Sequence, residues 1–259
     1  MTALITGASG GIGLELAVLF AKDGHDLVLT ARSEDKLLRI KDKLEEKYGV
    51  KCSVIPLDLA RHGAAEELCE KLGDTRIDFL VNNAGFGTNG GFFDTDFDRS
   101  KEMLELNVTS LMELSYRIGR GMRERKFGRI LNVASVAAFV PGPNMAMYYA
   151  TKAFVLSFSE ALSAELDGTG VTVTALCPGP TKTNFESAAR LTGSRMFTMF
   201  KPAEADDVAE YGYRAMMRGK CVQLCGIQTH LINIGSRIAP RSLIRAAAKS
   251  VNGFKGEKK

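Results

Sequence analysis

The chain contains no tryptophan, only three histidines and only seven prolines in 259 residues. No apolar run approaches the roughly 20 residues that a membrane span needs, so a spanning helix is excluded. His25, His62 and His230 stand apart from one another, and none lies beside Ser135, which removes a serine-hydrolase reading. The five cysteines, at 52, 69, 177, 221 and 225, are an odd, scattered set. They read as reduced thiols of a cytoplasmic protein. Cys221 and Cys225 have no further ligand residues near them in sequence, so core packing is expected there and no metal site. Basic residues are not interleaved with aromatics, and a net charge of +4 is too mild for nucleic acid, though it suits a small anionic ligand. No leader pattern precedes the first apolar segment.

What is present is a regular alternation. Met1 to Thr6 reads as a short strand, Gly7 to Gly13 as a glycine-rich turn, and Leu14 to Lys22 as an amphipathic helix. Strands follow at Asp26 to Thr30, Lys51 to Leu57, Ile77 to Val81, Gly128 to Ala134 and Val171 to Leu176, with an edge strand at Cys221 to Leu224. Helical patterns separate them at Glu34 to Tyr48, Gly63 to Leu72, Asp96 to Arg125, Tyr148 to Leu166 and Ala203 to Arg218. Short apolar strands alternating with helices predict an α/β Rossmann fold. Its core is a doubly wound parallel sheet of about seven strands with helices on both faces. Residues 1–227 are expected to form one domain. Residues 228–259 are expected to be a basic amphipathic extension of it, in which Pro240 breaks any continuous helix.

Doubly wound sheets bind ligands at the carboxyl ends of their strands, and here each such end is chemically marked. The first leads into the turn Gly7-Ala-Ser-Gly-Gly-Ile-Gly13, where small residues allow a sharp bend and close approach of an anion to a helix N-terminus. The bland alternative is a turn with no ligand. The second ends in Thr30-Ala-Arg32, with a cation where an acid would accept bonds from a ribose 2′-hydroxyl. A 2′-phosphate therefore fits better; otherwise Arg32 is a solvated surface residue. Asp58 after the third strand suits either an adenine amine or the cap of the next helix. Tyr148 and Lys152 share one helical face, where an ammonium favours a phenolate and makes the pair a usable acid/base. Tyr149 competes for that lysine at a spacing of three.

In order and spacing, Thr6-Gly-Ala-Ser-Gly-Gly-Ile-Gly13, Asn82-Asn-Ala-Gly85, Asn107, Ser135, Tyr148-Tyr-Ala-Thr-Lys152 and Pro178-Gly179 resemble the short-chain dehydrogenase/reductase family in its single-domain form. The resemblance implies an enzyme that moves hydride between a nicotinamide and a carbonyl or secondary alcohol. It implies Tyr148 as proton donor, Ser135 as the group orienting the carbonyl oxygen, Lys152 as the partner of Tyr148 and the nicotinamide ribose, and Asn107 as anchor of a water relay. It selects Tyr148 over Tyr149. For the cofactor it implies Gly7, Ser9, Gly10, Gly11, Ile12, Gly13, Arg32, Asp58, Leu59, Asn83, Ala84, Gly85, Tyr148, Lys152, Pro178, Gly179, Thr181 and Thr183, the two threonines at the carboxamide. Pro180-Thr181 departs from the usual pair at that point. The cofactor expected is NADP(H) rather than NAD(H), and no metal is expected. A homodimer or homotetramer is expected from the same likeness.

Phe86, Phe139, Met145, Met147, Phe185, Met196, Phe197, Met199 and Phe200 suit a bulky apolar carbonyl substrate of steroid, ketoacyl or aromatic-ketone type, or else a core layer or dimer contact. The extension mixes aliphatic residues with Arg237, Arg241, Arg245 and Lys249, which suits an anionic membrane surface, a docked helix or an oligomer contact. A non-catalytic NADP(H)-binding sensor is the alternative function. It would be expected to have lost Tyr148 or Lys152.

Overall fold

The computed structural model describes residues 1–183, 185 and 202–253. Seven strands form one parallel sheet: β1 (Thr2–Thr6), β2 (Asp26–Ala31), β3 (Cys52–Pro56), β4 (Phe79–Asn82), β5 (Gly128–Val133), β6 (Val171–Cys177) and β7 (Val222–Leu224). Their spatial order is β3-β2-β1-β4-β5-β6-β7. The order reverses between β1 and β4, which opens a crevice at the carboxyl ends of the central strands. The register pairs Thr6 with Thr30 and Asn82 with Asn132, so the marked strand ends share one edge.

Alternate strand residues feed two apolar layers. Ala3, Ile5, Leu27, Leu29 and Val81 pack beneath α1 (Gly11–Lys22), α2 (Glu34–Tyr48) and a later helix at Ala205–Met217. Leu4, Val28, Leu80 and Ile130 pack against α3 (Ala64–Leu72) and a helix at Leu111–Glu124 on the other face. Both faces being buried explains why the strands read as continuous apolar runs. The predicted helix ends move in places. α1 starts at Gly11 rather than Leu14, directly after the extended Gly10.

The stretch predicted as one helix from Asp96 to Arg125 is three segments. α4 (Phe97–Leu104) is capped by Asp96, whose side chain accepts from the Asp98 amide. A π-helical turn follows at Glu105–Ser110, and α5 (Leu111–Glu124) continues from it. The wider turn carries Asn107, buried at 1% exposure. Asn107 Nδ2 donates to the Phe86 carbonyl at 2.9 Å and to Thr151 Oγ1 at 3.1 Å, while Oδ1 accepts from the Phe86 amide. These bonds hold the π register, a device often found at functional sites.

α6 (Ala146–Glu165) crosses the sheet after a 3₁₀ turn at Val136–Phe139. α7 (Ala205–Met217) packs against α1. The chain then forms α8 (Gly226–Ile238) and α9 (Arg241–Asn252), separated at Ala239 and Pro240. α8 runs across the expected boundary at residue 228. Among the described residues, no helix is long and apolar enough to cross a membrane and no cluster of His, Cys, Asp and Glu suits a metal. All five cysteines are free, and Cys225 is buried in the core.

Candidate functional site

A cleft of about 470 Å³ opens along the carboxyl edge of the sheet. It gathers Gly7, Ser9, Gly10, Gly11, Ile12, Arg32, Asp58, Leu59, Asn83, Ala84, Gly85, Ser135, Tyr148, Lys152, Pro178, Gly179, Thr181 and Thr183. Gly13 and Asn107, also expected at the site, do not line it and act from behind its wall.

At one end, β1 hands over to α1 through the glycine turn. Gly7 and Gly11 adopt left-handed backbone, φ +67° and +56°. A Cβ on Gly13 would sit 2.4 Å from Asn83 Nδ2 and 2.5 Å from the Gly7 carbonyl oxygen. The side chain of Asn83 fills that space, donating to the Thr6 carbonyl at 2.9 Å and the Gly7 carbonyl at 3.3 Å. Thr6 Oγ1 returns the link by accepting from the amides of Asn83 and Ala84. The glycines at 7 and 13 therefore accommodate Asn83, a reason the sequence did not disclose. α1 has no side-chain cap and no acid in its first turn, so its leading N–H groups and dipole remain available to an anion.

Arg32 and Lys36 line the cleft beyond this turn, both exposed and neither in an ion pair with a described residue. Thr30 Oγ1, also on the lining, is buried without a hydrogen-bond partner. An uncapped helix start, an orphaned hydroxyl and two free cations fit a phosphate-bearing nucleotide. Asp58 Oδ1 accepts from the Ala60 amide at 3.0 Å. It caps a local turn, not α3, whose N-cap is Gly63; the helix-cap reading is corrected accordingly.

At the other end stand Ser135, Tyr148 and Lys152. Ser135 caps the 3₁₀ turn, accepting from the Ala137 amide at 3.1 Å. Burial pushes the Tyr148 phenol above its ordinary range, and a hydrogen bond with Ser135 opposes the rise. The Lys152 amine donates to the Val133 carbonyl at 2.7 Å and lies 5.9 Å from the Tyr148 ring centroid. Burial lowers its pKa to about 8, partly offset by the Cys177 thiol. Tyr149 is engaged elsewhere: its hydroxyl donates to Asn252 Oδ1 at 2.9 Å. Ser135, Tyr148 and Lys152 thus form a hydroxyl, phenol and amine set at the floor of an apolar end. An oxygen held by the two hydroxyls can be protonated there.

That apolar end is lined by Phe86, Met145, Tyr149 and Phe185. The Phe185 ring lies 5.2 Å from that of Tyr148. Gly87 leaves room for both, since a Cβ there would meet Phe185 at 2.9 Å and Tyr148 at 3.0 Å. Phe139 is not on this wall; it packs on the other side of the 3₁₀ turn with Leu111 and Val155. Met147 does not line it either, and Met196, Phe197, Met199 and Phe200 lie outside the described residues, as does the end of the extension. Two contributors escaped sequence reasoning. Arg99 from α4 lines the cleft with its guanidinium 3.8 Å from the Phe86 ring centroid. Asn252 at the end of α9 is fully buried, bonded to Tyr149, to the Pro143 carbonyl and, through its own carbonyl, to Asn89. Its only sequence hint is an asparagine near the end of a basic helical stretch.

The sequence model of the short chain dehydrogenase family matches residues 1–193. A very-long-chain 3-oxoacyl-CoA reductase of Laccaria bicolor is 36% identical over 175 residues, covering 66% of this chain and 52% of the relative. The chain spans about half the length of such curated relatives. A short-chain dehydrogenase from Sphingobium yanoikuyae, solved in complex with NADPH, superposes with a TM-score of 0.81 at 34% identity, covering 87% of this chain and 88% of that one. The bulky-bulky ketone specific alcohol dehydrogenase from Comamonas testosteroni gives 0.78 at 31% identity, covering 95% of each chain.

Proposed function

The chain belongs to the short chain dehydrogenase family, and from that membership we propose that it is an NADP(H)-dependent oxidoreductase interconverting a bulky apolar ketone and its secondary alcohol. The observation that carries the reading is the division of labour between adjacent tyrosines. Tyr148 is bonded to Ser135 beside a buried lysine, whereas Tyr149 is committed to Asn252. In this reading Ser135 and Tyr148 hold the substrate oxygen, and Tyr148 gives its proton to that oxygen in reduction and takes it back in oxidation. Lys152 keeps positive charge beside the phenol, and Asn107 holds the Phe86 backbone and Thr151 in place around it. When bound, the cofactor supplies or accepts the hydride. The glycine turn and α1 would hold its pyrophosphate, and Arg32 with Lys36 its 2′-phosphate. Phe86, Met145, Tyr149 and Phe185 favour an apolar substrate. Relatives described as reducing 3-oxoacyl-CoA, and a neighbour described as specific for bulky ketones, support that choice. A homo-oligomeric, cytoplasmic protein remains part of the proposal.

The test follows NADPH absorbance with a panel of bulky ketones, steroids and 3-oxoacyl thioesters, for wild type and Tyr148→Phe. Turnover by wild type and its loss in the variant are expected. Full turnover by Tyr148→Phe would overturn the assignment, and NADPH binding with no ketone reduced would favour a sensor.

A further inference from the structure

The polarity of α8 is reversed for a helix lying on a protein surface. Its inner face carries Thr229, which is buried, and Ile232, Asn233 and Ser236, which are half-buried. Thr229 lies over Gly179, 3.3 Å from where a Cβ would stand, and the helix rests on the 3₁₀ turn that follows Ser135. The opposite face holds Ile227, Leu231, Ile234 and Ile238, spaced by four, three and four residues and therefore aligned. They are 76%, 64%, 54% and 79% exposed. Leu243 on α9 adds another aliphatic side chain at 63% exposure. An ordinary amphipathic helix turns such a stripe inward.

Charge accompanies the stripe. Residues 226–253 contain Arg237, Arg241, Arg245 and Lys249 and no acidic residue. The chain has 34 Lys and Arg against 30 Asp and Glu, so the rest is balanced at 30 of each and the net +4 resides in these two helices. All four cations are exposed, and none forms an ion pair with a described residue.

We propose that α8 and α9 form a membrane-surface element, with the Ile227–Ile238 stripe seated among lipid headgroups of an anionic bilayer and the four cations of the two helices supplying its attraction to them. An exposed aliphatic stripe in a segment that carries four uncompensated cations and no acid is what such a surface selects. A second copy of the chain suits the face less well. A two-fold contact sets the same patch against itself, bringing like charges together with no acid in either segment to answer them. The inference is independent of the proposed reductase activity.

The test is co-sedimentation of the whole protein with vesicles of phosphatidylcholine containing roughly a third phosphatidylserine, against pure phosphatidylcholine. Two surface variants accompany it: Arg237→Gln/Arg241→Gln/Arg245→Gln/Lys249→Gln, and Ile227→Gln/Leu231→Gln/Ile234→Gln/Ile238→Gln. Circular dichroism checks that both fold. Wild type is expected to bind the anionic vesicles at least about tenfold more tightly than the neutral ones. That advantage should vanish in about 1 M salt, where the Debye length is about 3 Å, and in the charge variant. The stripe variant should lose binding to both vesicle types. Wild type left in solution with both types, or bound equally to both, would overturn the proposal. So would an oligomer that the stripe variant dissociates while wild type ignores vesicles, which assigns the face to a second copy.

Discussion

The hydroxyl of Tyr149 bonds Asn252 at 2.9 Å, joining the residue beside Tyr148 to the end of α9 across 103 positions of sequence. The neighbouring tyrosines therefore answer differently to the same substitution. Tyr148→Phe is expected to lower kcat by about 10²- to 10⁴-fold, the usual worth of a placed proton donor, with little change in stability. Tyr149→Phe is expected to keep kcat within a fewfold and to lower the melting temperature. Steady-state kinetics and thermal unfolding of the two variants separate these outcomes.

Asn252→Ala leaves the Tyr149 hydroxyl and the Pro143 carbonyl without their partner, at a cost of about 1–3 kcal/mol. Because Tyr149 lines the substrate end, KM for a bulky ketone should rise severalfold while KM for NADPH stays put. A substitution that only loosened the fold would move both constants together.

Lys152 couples burial to pH. Its folded pKa is about 8, against an ordinary 10.5. Below pH 8 the amine is protonated in folded and unfolded chains alike. Between the two values only the unfolded chain holds the proton, so this group makes stability rise with pH, by at most about 1.4 kcal/mol per unit. Cys52, Cys177 and Cys225, held up to about 12 from 9.0 by burial, pull the other way above pH 9. The difference between wild type and Lys152→Met isolates the lysine. The variant should be the more stable at pH 7, and the gap should close toward pH 10 in denaturant titrations.

Arg32→Asp places an acid where a 2′-phosphate would lie. Loss of a charge-assisted bond worth about 1.5–3 kcal/mol should weaken NADPH by about 10- to 100-fold and bring NADH level with it or ahead. Fluorescence titration with both nucleotides reads the switch directly.

How far the sequence reaches is clear from particular elements. The strands, their parallel order and the strand-end residues were legible because two-sided burial leaves short apolar runs, and the chemistry follows them at once. Asn107 was legible as a residue but not as a π turn, since that register depends on the Phe86 backbone, 21 positions away. Arg32 could be placed beside the cleft, yet that it forms no ion pair with a described residue, despite Glu34 and Asp35 next to it in sequence, is a matter of tertiary arrangement. The extension showed its basic, aliphatic composition and its break at Pro240. Which side of α8 faces outward was hidden, because the same periodicity serves a buried stripe or an exposed one.

The fit of Asn83 against Gly7 and Gly13 changes what a glycine signature testifies to. Those two positions answer to an asparagine of the same chain before any ligand arrives. A descendant that abandoned nucleotides altogether would still be held to them by sterics. Glycine there reports the integrity of the crevice, and occupancy has to be judged from Thr30, Arg32 and the bare start of α1.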